Sequence, residues 1–204
     1  MQKIEAIIFD LGGVILNIDY NLTRRAFENY GIYNFNEMYS QAAANDLFDD
    51  LETGKINEAD FYKEFNKHTG LILSEDKIQT AWNAMLLDFR EKSLQFIDSI
   101  QSKYKLFLLS NTNHIHLKAF NKIYLENKRD KPFESLFNKA YYSCEIGLRK
   151  PNADIYEFVL KENKLDINKT LFVDDSAQNI EAAKALGMQT ILLTPGKYIE
   201  DLSL

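Results

Sequence analysis

Five short apolar runs, separated by stretches with helical spacing, leave this 204-residue chain few ways to fold. They are Ile4–Phe9, Lys105–Ser110, Ala140–Ser143, Thr170–Asp174 and Gln189–Leu193. The first stops at a polar residue, as a parallel strand buried on both faces does, and the later runs repeat the pattern. Between them, Leu94, Phe96, Ile97 and Ile100 share one helical face, and Ile155, Phe158, Val159 and Leu165 share another. Ser176 is placed to cap a helix that ends at Gly187. Strand–helix alternation of this kind predicts an α/β fold built on a doubly wound parallel sheet.

From about Asn17 to Arg90 the rhythm breaks. Helical patterns run over Leu22–Tyr30, Glu37–Leu51, Glu58–His68 and Glu75–Leu87, with no convincing strand among them. Asn57 and Ser74 suit N-caps, and Gly31, Gly54 and Gly70 fall near helix ends. The expectation is a helical cap inserted at 17–90 between the first two strands, with the sheet domain formed by 1–16 and 91–204. This insertion holds 12 of the 26 aromatics, Trp82 included, which read as helix packing rather than a sugar-stacking platform. It holds 13 Asp and Glu against 7 Lys and Arg, and so carries the whole formal net charge of -6. The excess reads as solvated helix surface, and an acidic chain argues against nucleic acid as a partner. With one cysteine, Cys144, an intrachain disulfide is impossible and a reducing compartment is expected. No apolar run approaches a membrane span, and Glu5 inside the first run is unlike a signal peptide. A soluble, cytoplasmic protein is expected, with no membrane contact and no obligate protein partner evident.

In a doubly wound sheet, ligands bind beyond the carboxyl ends of the strands. Four segments there carry chemistry: Ile7-Ile8-Phe9-Asp10-Leu11-Gly12-Gly13-Val14, Leu109-Ser110-Asn111-Thr112-Asn113, Gly147-Leu148-Arg149-Lys150-Pro151 and Phe172-Val173-Asp174-Asp175-Ser176. Any one alone says little, since acids often end strands. The four in this order resemble the haloacid dehalogenase superfamily across nearly the whole chain. The resemblance lies nearest to bacterial glucose 1-phosphate phosphatases and, more distantly, to the phosphatase half of epoxide hydrolases. It implies a Rossmann-like core and a magnesium-dependent phosphatase acting on a small phosphorylated metabolite, such as a sugar phosphate.

The resemblance also implies roles. Asp10 would attack phosphorus and form an aspartyl phosphate. Ser110, the backbone N–H of Asn111, and Lys150 would bind the phosphoryl oxygens, with Lys150 also beside Asp10. Magnesium favours oxygen ligands; Asp10, the Gly12 carbonyl and Asp175 would supply them, with Asp174 and Asn179 one sphere further out. One position departs from the pattern. Most phosphatases of this superfamily carry a second Asp two residues after the nucleophile, and here that position is Gly12, which cannot move a proton. The glucose 1-phosphate phosphatases share the departure. His116 and Glu145 are possible substitutes, although a solvated or capping histidine is the plainer reading of His116. Asn17, Arg24 and Trp82 are positional guesses for substrate specificity. A dehalogenase also uses an Asp nucleophile without the second acid, but gives Asp174-Asp175 no purpose. A catalytically silent phosphate-binding module is the other alternative.

Overall fold

The computed structural model describes residues 3–40, 44–126 and 131–204. The chain begins with β1 (Ala6–Phe9) and a short β2 (Leu16–Ile18), followed by five helices: α1 (Tyr20–Glu28), α2 (Phe35–Met38), α3 (Asp46–Glu52), α4 (Glu58–Thr69) and α5 (Glu75–Asn83). Then come β3 (Leu86–Phe89), α6 (Glu91–Ile100), β4 (Lys105–Ser110), α7 (His114–Glu126), β5 (Lys139–Tyr142) and α8 (Ser143–Ile146). The last elements are α9 (Ala153–Glu162), β6 (Thr170–Asp174), α10 (Ala177–Ala185) and β7 (Gln189–Leu192).

Five strands form one parallel sheet in the order β5-β4-β1-β6-β7. Successive side chains along a strand face opposite ways, and the core divides accordingly. Ile7, Phe9, Leu106, Leu108, Leu171 and Val173 meet α6 and α7 on one side, through Leu94, Ile97, Phe120 and Tyr124. Ala6, Ile8, Phe107, Leu109 and Phe172 meet α9 and α10 on the other, through Ile155, Tyr156, Val159 and Ile180. Covering on both faces is why these strands read as unbroken apolar runs. The chain winds outward from β1 in both directions, so the end of β1 is the switch point where a doubly wound sheet opens a crevice.

The inserted helices share a separate core of Phe27, Phe35, Phe48, Phe61, Phe65 and Trp82, joined from the sheet side by Ile115. Two expectations here need correcting. Glu37–Leu51 is not one helix: α2 stops at Met38, where Tyr39 turns extended (φ -152), and α3 starts only after the Asn45 cap. Residues 41–43 of that stretch lie outside the described residues. Nor does a helix run over Glu75–Leu87. It ends at Asn83, and Leu86–Phe89 pairs antiparallel with Leu16–Ile18. That two-stranded ribbon ties both ends of the insertion together, and each strand is too short to show an alternation of its own.

Candidate active site

Because β4, β1 and β6 are neighbours, the polar residues that end them converge. Asp10 follows β1, and its N–H donates to Val173 O at 2.9 Å. Ser110 ends β4 and Asp174 ends β6. Lys150 arrives from the loop between α8 and α9. Its Nζ donates to Asp10 Oδ1 at 2.6 Å and to Asp174 Oδ2 at 2.7 Å. Lys150 is only 2% exposed, which an ammonium tolerates only when paired. Asn111 fixes it through the backbone: Asn111 Nδ2 donates to Lys150 O at 2.8 Å, and Lys150 N–H donates to Asn111 Oδ1 at 2.9 Å. This side-chain clamp was not legible in the sequence, where only the Asn111 backbone N–H suggested itself. A second clamp ties the β4 loop to α8, since Thr112 N–H donates to Ser143 Oγ and Ser143 Oγ–H donates to Thr112 O.

One ammonium faces three carboxylates. Oxygens of Asp10, Asp174 and Asp175 lie within 4.8 Å of one another. Burial pushes the Asp10 carboxyl up to about 7; Lys150 opposes this, while Asp174 and Asp175 add to it. Burial alone would lower the Lys150 ammonium, but Asp10 and Asp174 hold it well above the ordinary lysine range. The two carboxylates nearest Lys150 differ in what surrounds them. Asp174 is fully buried and accepts from Ser176 N–H at 2.7 Å and from Asn179 Nδ2 at 3.1 Å, in addition to Lys150. Asn179 Oδ1 has no hydrogen-bond partner among the described residues. A hard divalent cation fits this oxygen-rich, net-negative set.

The loop after Asp10 is held from outside. Arg90 Nη1 donates to the carbonyls of Gly13 at 2.7 Å and Val14 at 3.0 Å, while Arg90 Nε donates to Asn17 Oδ1 at 2.6 Å. Gly13 has φ +73, and a Cβ there would stand 2.2 Å from Asp175 Oδ2, so glycine is required. Gly12 is different. Its φ lies outside the left-handed region, and a Cβ would meet only the end of one side chain, Ile18 Cδ1 at 2.4 Å.

The structure brings together Asp10, Gly12, Ser110, Asn111, Lys150, Asp175 and Asn179 around one cleft, with Asp174 buried directly behind Lys150. The specificity guesses do not reach it. Asn17 is taken up by Arg90 and Asp88, Arg24 pairs with Glu28, and Trp82 is 0% exposed inside the helical core. His116 lines the cleft but is neither solvated nor capping. It is buried, its Nε2 lies 3.1 Å from Trp82 O, and it stacks on the Trp82 ring. Burial lowers its pKa to about 4, which disfavours the charged, proton-donating form near neutral pH. Glu145 is exposed and lies outside the cleft lining. What the sequence did not reveal is the opposite wall: Tyr20, Tyr39, Glu52 and Arg149. Glu52 looked like any other acid of the insertion, and only the packing of α3 against the sheet domain singles it out.

Residues 4–187 match the family of haloacid dehalogenase-like hydrolases. The chain is 30% identical over 188 residues to a D-ribitol-5-phosphate phosphatase of Bacteroides thetaiotaomicron, covering 92% of this chain and 90% of that one. A crystal structure of a haloacid dehalogenase family enzyme from the same organism superposes with a TM-score of 0.90 at 31% identity, covering 96% of each chain. That structure is of an aspartate-to-alanine variant in complex with magnesium and inorganic phosphate. A haloacid dehalogenase-like hydrolase from Porphyromonas gingivalis superposes with a TM-score of 0.85 at 33% identity, over 95% of this chain and 93% of that one. Sheet, switch point and strand-end acids thus define a hydrolase built on a doubly wound parallel sheet. The chain belongs to the haloacid dehalogenase-like hydrolases.

Proposed function

We propose that this chain is a magnesium-dependent phosphatase acting on a small phosphorylated sugar or sugar alcohol, with Asp10 as nucleophile. The observation that carries this reading is the cluster of Asp10, Asp174 and Asp175 around the buried Lys150 at adjacent strand ends. A phosphoryl group needs positioning and charge neutralisation more than covalent help, and the cluster offers both. A carboxylate oxygen of Asp10 attacks phosphorus, the bond to the leaving oxygen breaks, and that oxygen takes a proton from solvent. Water then attacks phosphorus, the bond to Asp10 breaks, and phosphate leaves. Lys150 and the Ser110 hydroxyl donate to the phosphoryl oxygens, as does the Asn111 N–H.

Asp10, the Gly12 carbonyl and Asp175 would hold the magnesium, with Asp174 and Asn179 outside them. When bound, the ion supplies positive charge that favours ionised carboxylates and neutralises phosphoryl oxygens. Asp174 is committed to Lys150, Ser176 and Asn179, which suits an orienting position better than a ligating one. Residues 17–90 form the proposed cap, and 1–16 with 91–204 the proposed core. D-Ribitol 5-phosphate, from the relative's name, and glucose 1-phosphate, from the sequence resemblance, are the first substrates to assay.

Phosphate release from a panel of sugar, sugar-alcohol, aryl and alkyl phosphates, with and without magnesium, tests the proposal. Asp10→Asn should lower turnover by several orders of magnitude while the far-ultraviolet circular dichroism is unchanged. Near-normal turnover in that variant would rule out the covalent route.

A further inference from the structure

The wall of the cleft facing Asp10 contains a buried acid that the reaction above does not use. Glu52, the last residue of α3, is 2% exposed. Its Oε1 accepts from Tyr39 Oη–H at 2.8 Å. Its Oε2 lies 2.8 Å from Arg149 Nη2, a close ion pair whose geometry falls short of a hydrogen bond. The other arm of Arg149 pairs with Asp49, also on α3. Two buried polar atoms of this pair keep unused hydrogen-bonding capacity: Oε2 of Glu52, an acceptor held only by the ion pair, and Nε of Arg149, a donor with no hydrogen-bond partner among the described residues. An unmet buried donor such as Arg149 Nε costs about 1–3 kcal/mol, and a group that accepts from it and donates to the adjoining carboxylate would use both capacities.

A hydroxyl does so, because it donates one hydrogen bond and accepts others. A phosphate would be repelled by Glu52, and an ammonium by Arg149. The position also suits a substrate. Arg149 is the chain neighbour of Lys150, so the residue that binds Asp10 and the residue that binds Glu52 are consecutive. Asp10, Lys150, Glu52 and Arg149 all line one cleft, so a substrate held at Asp10 shares a cavity with Glu52. Tyr20 lines the cleft with them; burial pushes its phenol pKa up, and the carboxylates of Asp175, Asp10 and Glu52 add to the rise.

We infer that Glu52 and Arg149, steadied by Tyr39, form the subsite that recognises a hydroxyl of the leaving group, and so select polyhydroxylated substrates. This rests on the phosphatase reading and adds the residues that choose the substrate. A site built to hydrogen-bond a hydroxyl discriminates strongly against a substrate that lacks one.

The test compares a pentitol 5-phosphate with 1-pentyl phosphate, in the full-length protein with magnesium. Wild type should prefer the pentitol ester by about 10- to 100-fold in kcat/KM, the range expected for a hydrogen bond to a charged group. Glu52→Gln should reduce that preference at least about tenfold, mostly through KM for the pentitol ester. If Glu52→Gln does not fold, Arg149→Lys makes the same test, since it keeps the charge opposite Glu52 but removes the Nε donor. A folded variant that slows both esters equally would overturn the inference and leave the cluster as a structural tie. Equal use of both esters by wild type would overturn it too, with the phosphatase reading intact. Hydrolysis of neither ester, nor of any aryl phosphate, would instead overturn the phosphatase reading and this inference with it.

Discussion

Gly12 is the residue at which this chain departs from the pattern it resembles, and its neighbour Ile18 shows what the departure consists of. No left-handed backbone demands glycine at position 12, since that demand falls on Gly13. The space a side chain would enter is filled instead by Ile18 Cδ1, 2.4 Å from an ideal Cβ, whereas Ile18 Cγ1 at 3.6 Å is an ordinary contact. Valine lacks that δ carbon. Gly12→Asp alone should therefore lower the melting temperature, and Gly12→Asp with Ile18→Val should recover most of the loss. Ile18→Val by itself should cost no more than about 0.5–1.5 kcal/mol. If the new carboxyl acts as a proton donor, the double variant should gain on alkyl phosphates relative to aryl phosphates. General acid catalysis is worth about 10²–10⁴-fold, so the change in that ratio would be plain in a substrate panel. A double variant as unstable as Gly12→Asp would show that Ile18 is not the obstacle.

At the scale of elements, the junction of α5 with α7 gives a second prediction. Trp82 O, at the end of α5, receives Thr23 Oγ1–H at 3.0 Å and has His116 Nε2 at 3.1 Å, so helices from both sides meet on one carbonyl. Burial lowers the His116 pKa to about 4, the Trp82 carbonyl acts weakly in the other direction, and no charged group contributes. An unfolded histidine titrates near 6.5. Between those values the unfolded chain binds the extra proton, so His116 favours the fold fully above pH 6.5 and loses that contribution as pH falls toward 4. At pH 5 the loss is roughly 2 kcal/mol. Urea unfolding should show a steeper decline from pH 7 to pH 5 for wild type than for His116→Gln. Equal slopes would mean that folding leaves the proton affinity of His116 unchanged.

The same elements show what the sequence could and could not disclose. The sheet was legible because burial on both faces writes strands as apolar runs, and the observed strands fall within a residue or two of those runs. Asp10, Ser110 and Asp174-Asp175 were legible because each ends a strand or directly follows one, and Lys150 because of the segment it shares with Gly147, Arg149 and Pro151. The β2–β3 ribbon was not, because three or four residues cannot show a period. Neither was the Glu52–Arg149 pair, whose members are 97 positions apart along the chain. Their meeting depends on how α3 packs against α8, where a Cβ on Gly54 would stand 2.2 Å from Cys144 O.

For the whole molecule, adjacent Asp174 and Asp175 should separate folding from metal binding. Asp174 is buried among Lys150, Ser176 and Asn179. Removing its charge leaves Lys150 short of a partner in a closed site, a change that typically costs about 3–5 kcal/mol. Asp175 is less buried and adds to the repulsion that raises the Asp10 carboxyl. Asp174→Asn should therefore lower the metal-free melting temperature well below that of Asp175→Asn. Magnesium should reverse the order of importance. A ligand that binds only the folded state stabilises the entire chain, by about 2.7 kcal/mol at a hundredfold excess over Kd. In a protein of this size that corresponds to a rise of roughly 5–10 °C in Tm. Wild type should show that rise on titration with magnesium chloride, and Asp175→Asn should lose it. Asp174→Asn, starting lower, should keep part of it if, as proposed, Asp174 lies beside the ion rather than on it. A sodium chloride control at matched ionic strength separates site binding from general screening. A full magnesium shift in Asp175→Asn would remove Asp175 from the ligand set and send the search for the second carboxylate back to Asp174.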